Sequence, residues 1–322
     1  VSFWVTVLAP GPQVVTESAQ ALPPLLGLKP SSRRLLLALT VLVKGVGRPK
    51  VIVIAGGSSS RFGSDKLLAL IDGRPLISRV LEVAREVGDV ILVSSRDEIS
   101  RLGGLLGDVK VVEDLPQLSC GGPPRGVASA VGQVSSGTVL IVPGDAAWAT
   151  AEGLEALLGH CSDGLASPLM GHGFVSSSFL CGPADMIKEA VRLMCSKASL
   201  GLRARMTDLL RSSRSRLVGA SLLGGQGQFY DLDVPGDRPP RSRGPRRIIE
   251  VDPTTYRRAL SLALAGRPRE AAAAFQEESK AYRRLRVWHL ELHSLLDAQS
   301  LGLDAAKRVE KLRLTLRRPS RP

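Results

Sequence analysis

The sequence predicts an α/β fold: a three-layer sandwich built on a mostly parallel, Rossmann-like sheet and followed by a small all-α module. Three features carry this expectation. Apolar runs of four or five residues recur from residue 51 onward, each followed by a stretch of helical period, as strands buried on both faces require. A Gly/Ser loop follows the first run directly. Beyond residue 247 the apolar spacing becomes helical and stays so.

Taken in order, residues 51–55 form a β-branched run and lead into the Gly/Ser loop, and residues 76–87 have the spacing of an amphipathic helix. A strand at 90–94, a short helix at 99–106 and a strand at 109–113 follow. Then come a helix at 127–134, a strand at 139–142 and a helix at 150–158. The α/β unit is expected to span residues 50–237. Residues 238–247, rich in Pro and Arg, read as a linker. Residues 248–322 read as a basic helical module, with helices at 255–265, 268–279 and 282–299 separated first by Gly266, Arg267 and Pro268. The first strand comes only near residue 50 and the chain opens on Val, so residues 1–49 read as a poorly structured leader, an over-extended start with no assigned function.

Composition narrows the class. In 322 residues, 44% are apolar and 23% charged, enough to build a sizeable core and to exclude wholesale disorder. The longest charge-free apolar run of helical look, residues 35–43, falls short of the ~20 residues that cross a bilayer, so no membrane span and a cytoplasmic location are expected. Cysteines at 120, 161, 181 and 195 form no C-x-x-C pair, which argues against a zinc site and a secreted disulfide scaffold. His160, His172, His289 and His293 lack ligand spacing and read as surface or packing residues.

The net charge of +13 is uneven. Residues 51–237 hold 17 basic and 20 acidic side chains, whereas residues 238–322 hold 20 basic and nine acidic ones. The basic tail therefore favours an anionic partner, such as a cofactor-carrying protein. The alternative that the tail makes this an RNA- or protein-binding protein is a weaker fit, because Tyr256, Phe275, Tyr282 and Trp288 sit at helical spacing among Leu and Ala, as core residues do, rather than as a stacking platform.

The chemistry concentrates after the first strand. In Ile54, Ala55, Gly56 and Gly57, the glycines lack a Cβ, so the backbone can turn and aim N–H groups at phosphate oxygens. Arg61 and Lys66 follow as cations for a triphosphate. The spacing fits neither a Walker A loop nor G-x-G-x-x-G. Asp145 stands at the end of an apolar run, too far from residue 150 to be the cap of the next helix. Asp231 and Asp233 precede Pro235 and read either as turn residues or as a second metal carboxylate.

The segment from Ile54 to Lys66 resembles the [LI]-A-G-G-x-S-x-R-x-G-x-D-K signature of the MobA-like nucleotidyltransferases, and Gly73-Arg74-Pro75-Leu76 resembles that family's G-[KR]-P-L step. Further landmarks come in the family's order. Val112-Glu113-Asp114 resembles the strand end of the nucleotide pocket, and Gly122-Pro123-Pro124-Arg125-Gly126 the G-P-L-x-G loop. Pro143-Gly144-Asp145 resembles the metal site, and residues 229–237 the F-x-[ND]-[IL]-[ND]-T-P-x-D segment. Ala147 and Val234 depart from the family's Pro and Thr, without removing a charge.

The resemblance implies an Mg²⁺-dependent transfer of a nucleoside monophosphate, from GTP in the first place, to a phosphorylated acceptor with release of pyrophosphate. The acceptor it implies most directly is molybdopterin. CTP as donor, or a nucleotide-sugar pyrophosphorylase activity, belongs to the same superfamily. Arg61, Lys66 and Asp145 would be catalytic. The backbone at 54–57, Lys66, Ser94, Asp114 and Gly122 would hold the nucleotide, and Asp145 with Asp231 or Asp233 would hold the metal. Every landmark lies before Arg238, so a chain ending at residue 237 is expected to keep nucleotide binding.

Overall fold

Strand β1 (Lys50–Ile54) is buried at every residue after Lys50, because both of its faces are covered. Val51 and Val53 enter one apolar core, Ile52 and Ile54 the other, as the two-residue side-chain period dictates. The computed structural model describes residues 47–56, 65–232 and 238–316. All of them belong to one unit that begins at Gly47. The leader up to residue 46 lies outside the described residues.

Seven further strands complete the sheet: β4 (Asp89–Ser94), β5 (Lys110–Glu113), β6 (Thr138–Pro143), β7 (Leu165–Leu169), β8 (Leu180–Pro183), β9 (Ser215–Gly219) and β10 (Ile248–Val251). Their order is β10-β9-β7-β8-β6-β1-β4-β5. The pairs β1–β4, β1–β6, β4–β5 and β7–β9 are parallel, whereas β8 and β10 run against their neighbours. A small hairpin, β2 (Leu70–Ile71) and β3 (Arg74–Pro75), turns on Asp72 and Gly73, both at positive φ (51° and 78°), the backbone a two-residue Asp-Gly hairpin turn requires.

Helix α1 (Leu76–Val87) covers the first face with Leu76, Ile77, Val80, Leu81, Ala84 and Val87, a stripe of helical spacing. Helix α2 (Arg96–Leu102) starts on the cap Ser95, whose Oγ accepts from Glu98 N. Helix α3 (Pro123–Val131) packs on the opposite face. Helix α4 (Ala151–Leu158) lies with α1 and is capped by Thr150. Helices α5 (Ala184–Ser199) and α6 (Thr207–Ser212) join α3. The predicted sandwich with a mostly parallel sheet is what the chain builds.

The helical tail comprises α7 (Thr254–Leu264), α8 (Pro268–Arg284), α9 (Trp288–Ser300) and α10 (Ala306–Leu316). Residues 282–299, expected as one helix, are broken at Arg286, which adopts φ 55°. The expected boundary at 238–247 also needs correcting. Strand β10 pairs with β9, and Ile249 and Val251 share a core cluster with Ile52, as do Tyr282, Val287 and Leu290 of the tail.

A buried charge network crosses the same boundary. Lys197 Nζ on α5 lies 2.9 Å from Asp208 and 2.8 Å from Asp297 of α9. Arg211 reaches Asp208 (2.9 Å), Asp297 (2.7 Å) and Glu278 of α8 (2.6 Å), and Arg205 reaches Asp297 (2.5 Å). Three cations thus meet three carboxylates, and Ser294 Oγ and Tyr282 Oη add donors to Glu278. Such charges tolerate burial only while all are paired. A chain cut at residue 237 would strand Lys197 and Arg211 without Glu278 and Asp297, so the expectation of an independent 50–237 unit gives way.

Candidate functional site

Parallel pairing brings the carboxyl ends of β1, β4 and β6 to one edge of the sheet, with Ile54 in register with both Val93 and Pro143. The chain leaves each strand there. Ala55 N donates to Val93 O (2.9 Å) and Gly144 N to Ile54 O (2.8 Å), so the residues that follow β1 and β6 are laced together. Gly144 is needed for this approach: a Cβ there would lie 2.9 Å from Ile54 O and 3.1 Å from Ala55 Cα. Ser94, at the end of β4, is buried and donates its hydroxyl to Ala55 O. Ile54, Ala55, Gly56 and Ser94 therefore form one backbone cradle. Gly57 and Arg61 lie outside the described residues.

Asp145 follows Gly144, and Lys66 Nζ lies 2.6 Å from its Oδ2, with side-chain exposures of only 15% for Lys66 and 24% for Asp145. Lys66 is positioned by its neighbour: Asp65 Oδ1 accepts from Leu67 N (3.1 Å) and caps the single turn 66–68. The other oxygen of Asp65 faces Arg101 (3.2 Å). Glu98 joins this group, its Oε2 accepting from Arg101 Nη2 (2.5 Å). Its pKa is raised, first by burial and then by the charge of Asp65. The sequence shows Asp65 as a motif letter; its work as a cap becomes visible only in the fold.

A second cluster lies beside the first. Asp114 N donates to Ser94 O (2.8 Å), and the Asp114 carboxylate accepts from Arg125 Nε (3.3 Å) in the first turn of α3. Gly122 precedes that helix at φ 63° and ψ −148°, a region essentially reserved for glycine. Ser94, Asp114 and Gly122 are thus neighbours along one rim. Cys120 pairs with Cys195 of α5 in a disulfide, and Ser119 Oγ donates to Cys195 O (3.0 Å), fastening the loop from Asp114 to Gly122 against α5. A pairing across 75 residues leaves no local signal in the sequence.

The third side is the segment before residue 232. Leu232 N donates to Asp145 O (3.1 Å), which sets Asp231 beside the Asp145 turn. Phe229 is buried edge-on against Phe179 (5.3 Å), and Ser176 Oγ donates to Phe229 O (2.9 Å). Asp233 lies outside the described residues. Among the described residues no group of three His, Cys, Asp or Glu side chains could enclose a metal by itself. The donors present suit Mg²⁺ nonetheless, since that ion is commonly held by one or two carboxylates together with substrate phosphates.

The histidines stand apart from these clusters. His289 stacks on Phe174 (4.4 Å), and burial pushes its pKa down to about 4. His293 Nδ1 is 2.6 Å from Thr207 Oγ1. No helix among the described residues is long and apolar enough to cross a membrane.

A family model described as the MobA-like NTP transferase domain matches residues 51–211. A protein of Bacillus cereus strain AH820 described as a probable molybdenum cofactor guanylyltransferase is 35% identical over 112 residues, which is 35% of this chain and 56% of that protein. Its counterpart in Bacillus anthracis strain CDC 684 is 34% identical over the same length. The chain thus spans about half the length of the curated relatives it matches. Among solved structures, the molybdopterin-guanine dinucleotide biosynthesis protein A from Archaeoglobus fulgidus has a TM-score of 0.45 at 16% identity, covering 58% of this chain and 93% of that one. The match covers half of the sequence, including the β1 loop, Lys66 and the Asp145 turn: the chain belongs to the family of MobA-like NTP transferase domains.

Proposed function

We propose that this protein transfers GMP from GTP to molybdopterin, with release of pyrophosphate. The observation that carries the reading is the Lys66–Asp145 pair beside the Ala55–Gly56 cradle at the strand ends. A cation for phosphate oxygens and a carboxylate for a divalent ion stand within 2.6 Å of each other, next to the turn that leaves β1. The named relatives support the acceptor and the base.

In such a reaction an oxygen of the acceptor phosphate attacks the α-phosphorus, the bond from that phosphorus to the bridging oxygen breaks, and pyrophosphate departs with the electron pair. Charge grows on the departing oxygens, so positioned cations matter more than a covalent nucleophile. Lys66 would donate to the triphosphate, as would Arg61, and the backbone at 54–57 would cradle it. Asp145, with Asp231 or Asp233, would hold Mg²⁺, which supplies charge neutralisation of the phosphates when bound. Ser94 fixes the cradle through Ala55 O, while Asp114 and Gly122 border the space for the base.

Isothermal titration of the full chain with GTP, CTP, ATP and UTP in Mg²⁺ tests the donor. Preferential binding of GTP is expected. Preferential CTP binding would replace the guanylyl reading with a cytidylyl one, and no binding of any nucleotide would overturn both.

A further inference from the structure

Residues 238–247 are packed against the sheet edge rather than forming a free spacer. Strands β7 and β9 run parallel to each other, and both run in the direction of β6, so the loops after Leu169 and Gly219 open at the edge that holds Asp145. Strand β10 runs the other way, which places its entry segment, 238–247, at that edge too.

The segment is fastened along its length. Gly219 N donates to Arg247 O (2.7 Å) and Ser221 N to Pro245 O (3.1 Å). Gln226 joins Ser242 Oγ on one side and accepts from Gly171 N (3.0 Å) on the other. Pro239 and Pro240 lie so close to Gly227 that a Cβ there would approach them to 3.3 and 3.4 Å. The next residue, Gln228, accepts from Thr150 Oγ1 (2.7 Å), and Leu232 is tied to Asp145 O.

Its arginine charges form no ion pair among the described residues. Arg241, Arg243 and Arg246 are exposed, and no carboxylate among the described residues pairs with them. The next acid along the chain, Glu250, is already bound to Arg216 (2.9 Å). Like charges crowded on one strap oppose folding, so a purely structural segment would intersperse acids. Guanidinium groups on a backbone held by prolines and hydrogen bonds are, by contrast, well suited to a phosphate, because little freedom is lost on binding.

We propose that residues 238–247 form an anion-binding strap on the acceptor side of the site, in which Arg241, Arg243 and Arg246 bind the phosphate of the acceptor. The word acceptor rests on the function proposed above; the strap's affinity for a small phosphate does not. The strap lies beyond the residues matched by the family model.

The test uses the full chain saturated with a non-hydrolysable GTP analogue, so that the triphosphate positions are filled, with inorganic phosphate as the titrant. The Arg241→Gln/Arg243→Gln/Arg246→Gln variant is compared with a charge-matched Arg269→Gln/Arg284→Gln/Lys311→Gln control and with the three strap substitutions made singly. The strap variant should bind phosphate roughly 10- to 100-fold more weakly while binding the GTP analogue as the wild type does, and the control should match the wild type. Should the triple variant fail to fold, the single variants should each weaken phosphate binding several-fold. Equal phosphate binding by wild type and folded strap variants overturns the proposal. So does strap-dependent binding of a single-stranded RNA, steeply reduced by salt, with no binding of phosphate, which would make the strap a polyanion surface. Failure to bind the GTP analogue at all would count against the proposed function and is read separately.

Discussion

Replacing Asp297 by Ala tests how the tail is joined to the sheet. This carboxylate takes Lys197, Arg205 and Arg211 at 2.8, 2.5 and 2.7 Å, and Lys197 and Arg211 are fully buried. Its removal leaves a buried excess of positive charge, and breaking a buried pair from one side costs about 3–5 kcal/mol. The unit that contains it starts at Gly47 and runs to residue 322. At ~2.1 cal/mol/K per residue its unfolding entropy is ~0.6 kcal/mol/K, so the midpoint should fall by about 5–9 °C in a calorimetric melt. The surface pair Arg258–Glu277 is the control: both side chains are more than half exposed, and Glu277→Ala should cost under ~1 kcal/mol.

The acid limb carries the same information. Burial would raise the pKa of Asp297, but the charges of Lys197, Arg211 and Arg205 overrule it and hold the pKa at about 2. A carboxylate depressed on folding contributes stability that is present above its ordinary value of 3.8 and is lost as the pH falls toward 2. Asp297→Asn should therefore flatten the loss of stability between pH 4 and pH 2. A melt of Asp297→Ala within 1 °C of the Glu277→Ala control would refute the reasoning.

Other perturbations follow from the same geometry. Reduction of the Cys120–Cys195 bond, or Cys120→Ser with Cys195→Ser, should lower stability by about 4 kcal/mol, the loop-entropy value for a closure of 75 residues, visible as a reductant-dependent shift in the melt. Gly144→Ala should cost about 1–3 kcal/mol and weaken nucleotide binding, because its Cβ would press on Ile54 O; a variant with wild-type melting and GTP affinity would contradict that close approach. A chain ending at residue 237 should fail to give a cooperative melt, since it lacks two of the network's three carboxylates.

Much of the α/β half is legible in the sequence. Helix α1 begins and ends where its apolar spacing does, and β1, β4, β5 and β6 announce themselves as short apolar runs between helices. Helix α3 starts at Pro123, four residues before its apolar spacing, because prolines in a first turn cost no hydrogen bond while hiding the helical pattern. Strand β7 carries Ser167 and Pro168 and so does not read as a central strand; Pro168 is tolerated because β8 pairs with β7 only at Ala166.

The tail is helical as its spacing predicts, but its attachment to the sheet is not legible in the sequence. Its helices have ordinary periods, but what binds them to α5 and α6 is a set of side chains up to 100 residues apart, and β10 is only four residues long and directly follows a run of Arg and Pro. In the site, Asp145 is marked by its place at the end of an apolar run and Lys66 by its place in the motif that follows β1. The pairing of those two, the cap by Asp65 and the fastening of 238–247 through Gln226 depend on how the chain returns to the sheet edge.

The most direct measurement of the central claim is the rate of pyrophosphate release from GTP in the presence of molybdopterin and Mg²⁺, for the wild type, Lys66→Ala and Asp145→Ala. The account predicts Mg²⁺-dependent release by the wild type, a fall of roughly 100-fold or more for Lys66→Ala, and loss of the metal-dependent rate in Asp145→Ala. Release by a folded Asp145→Ala protein at the wild-type rate would contradict it.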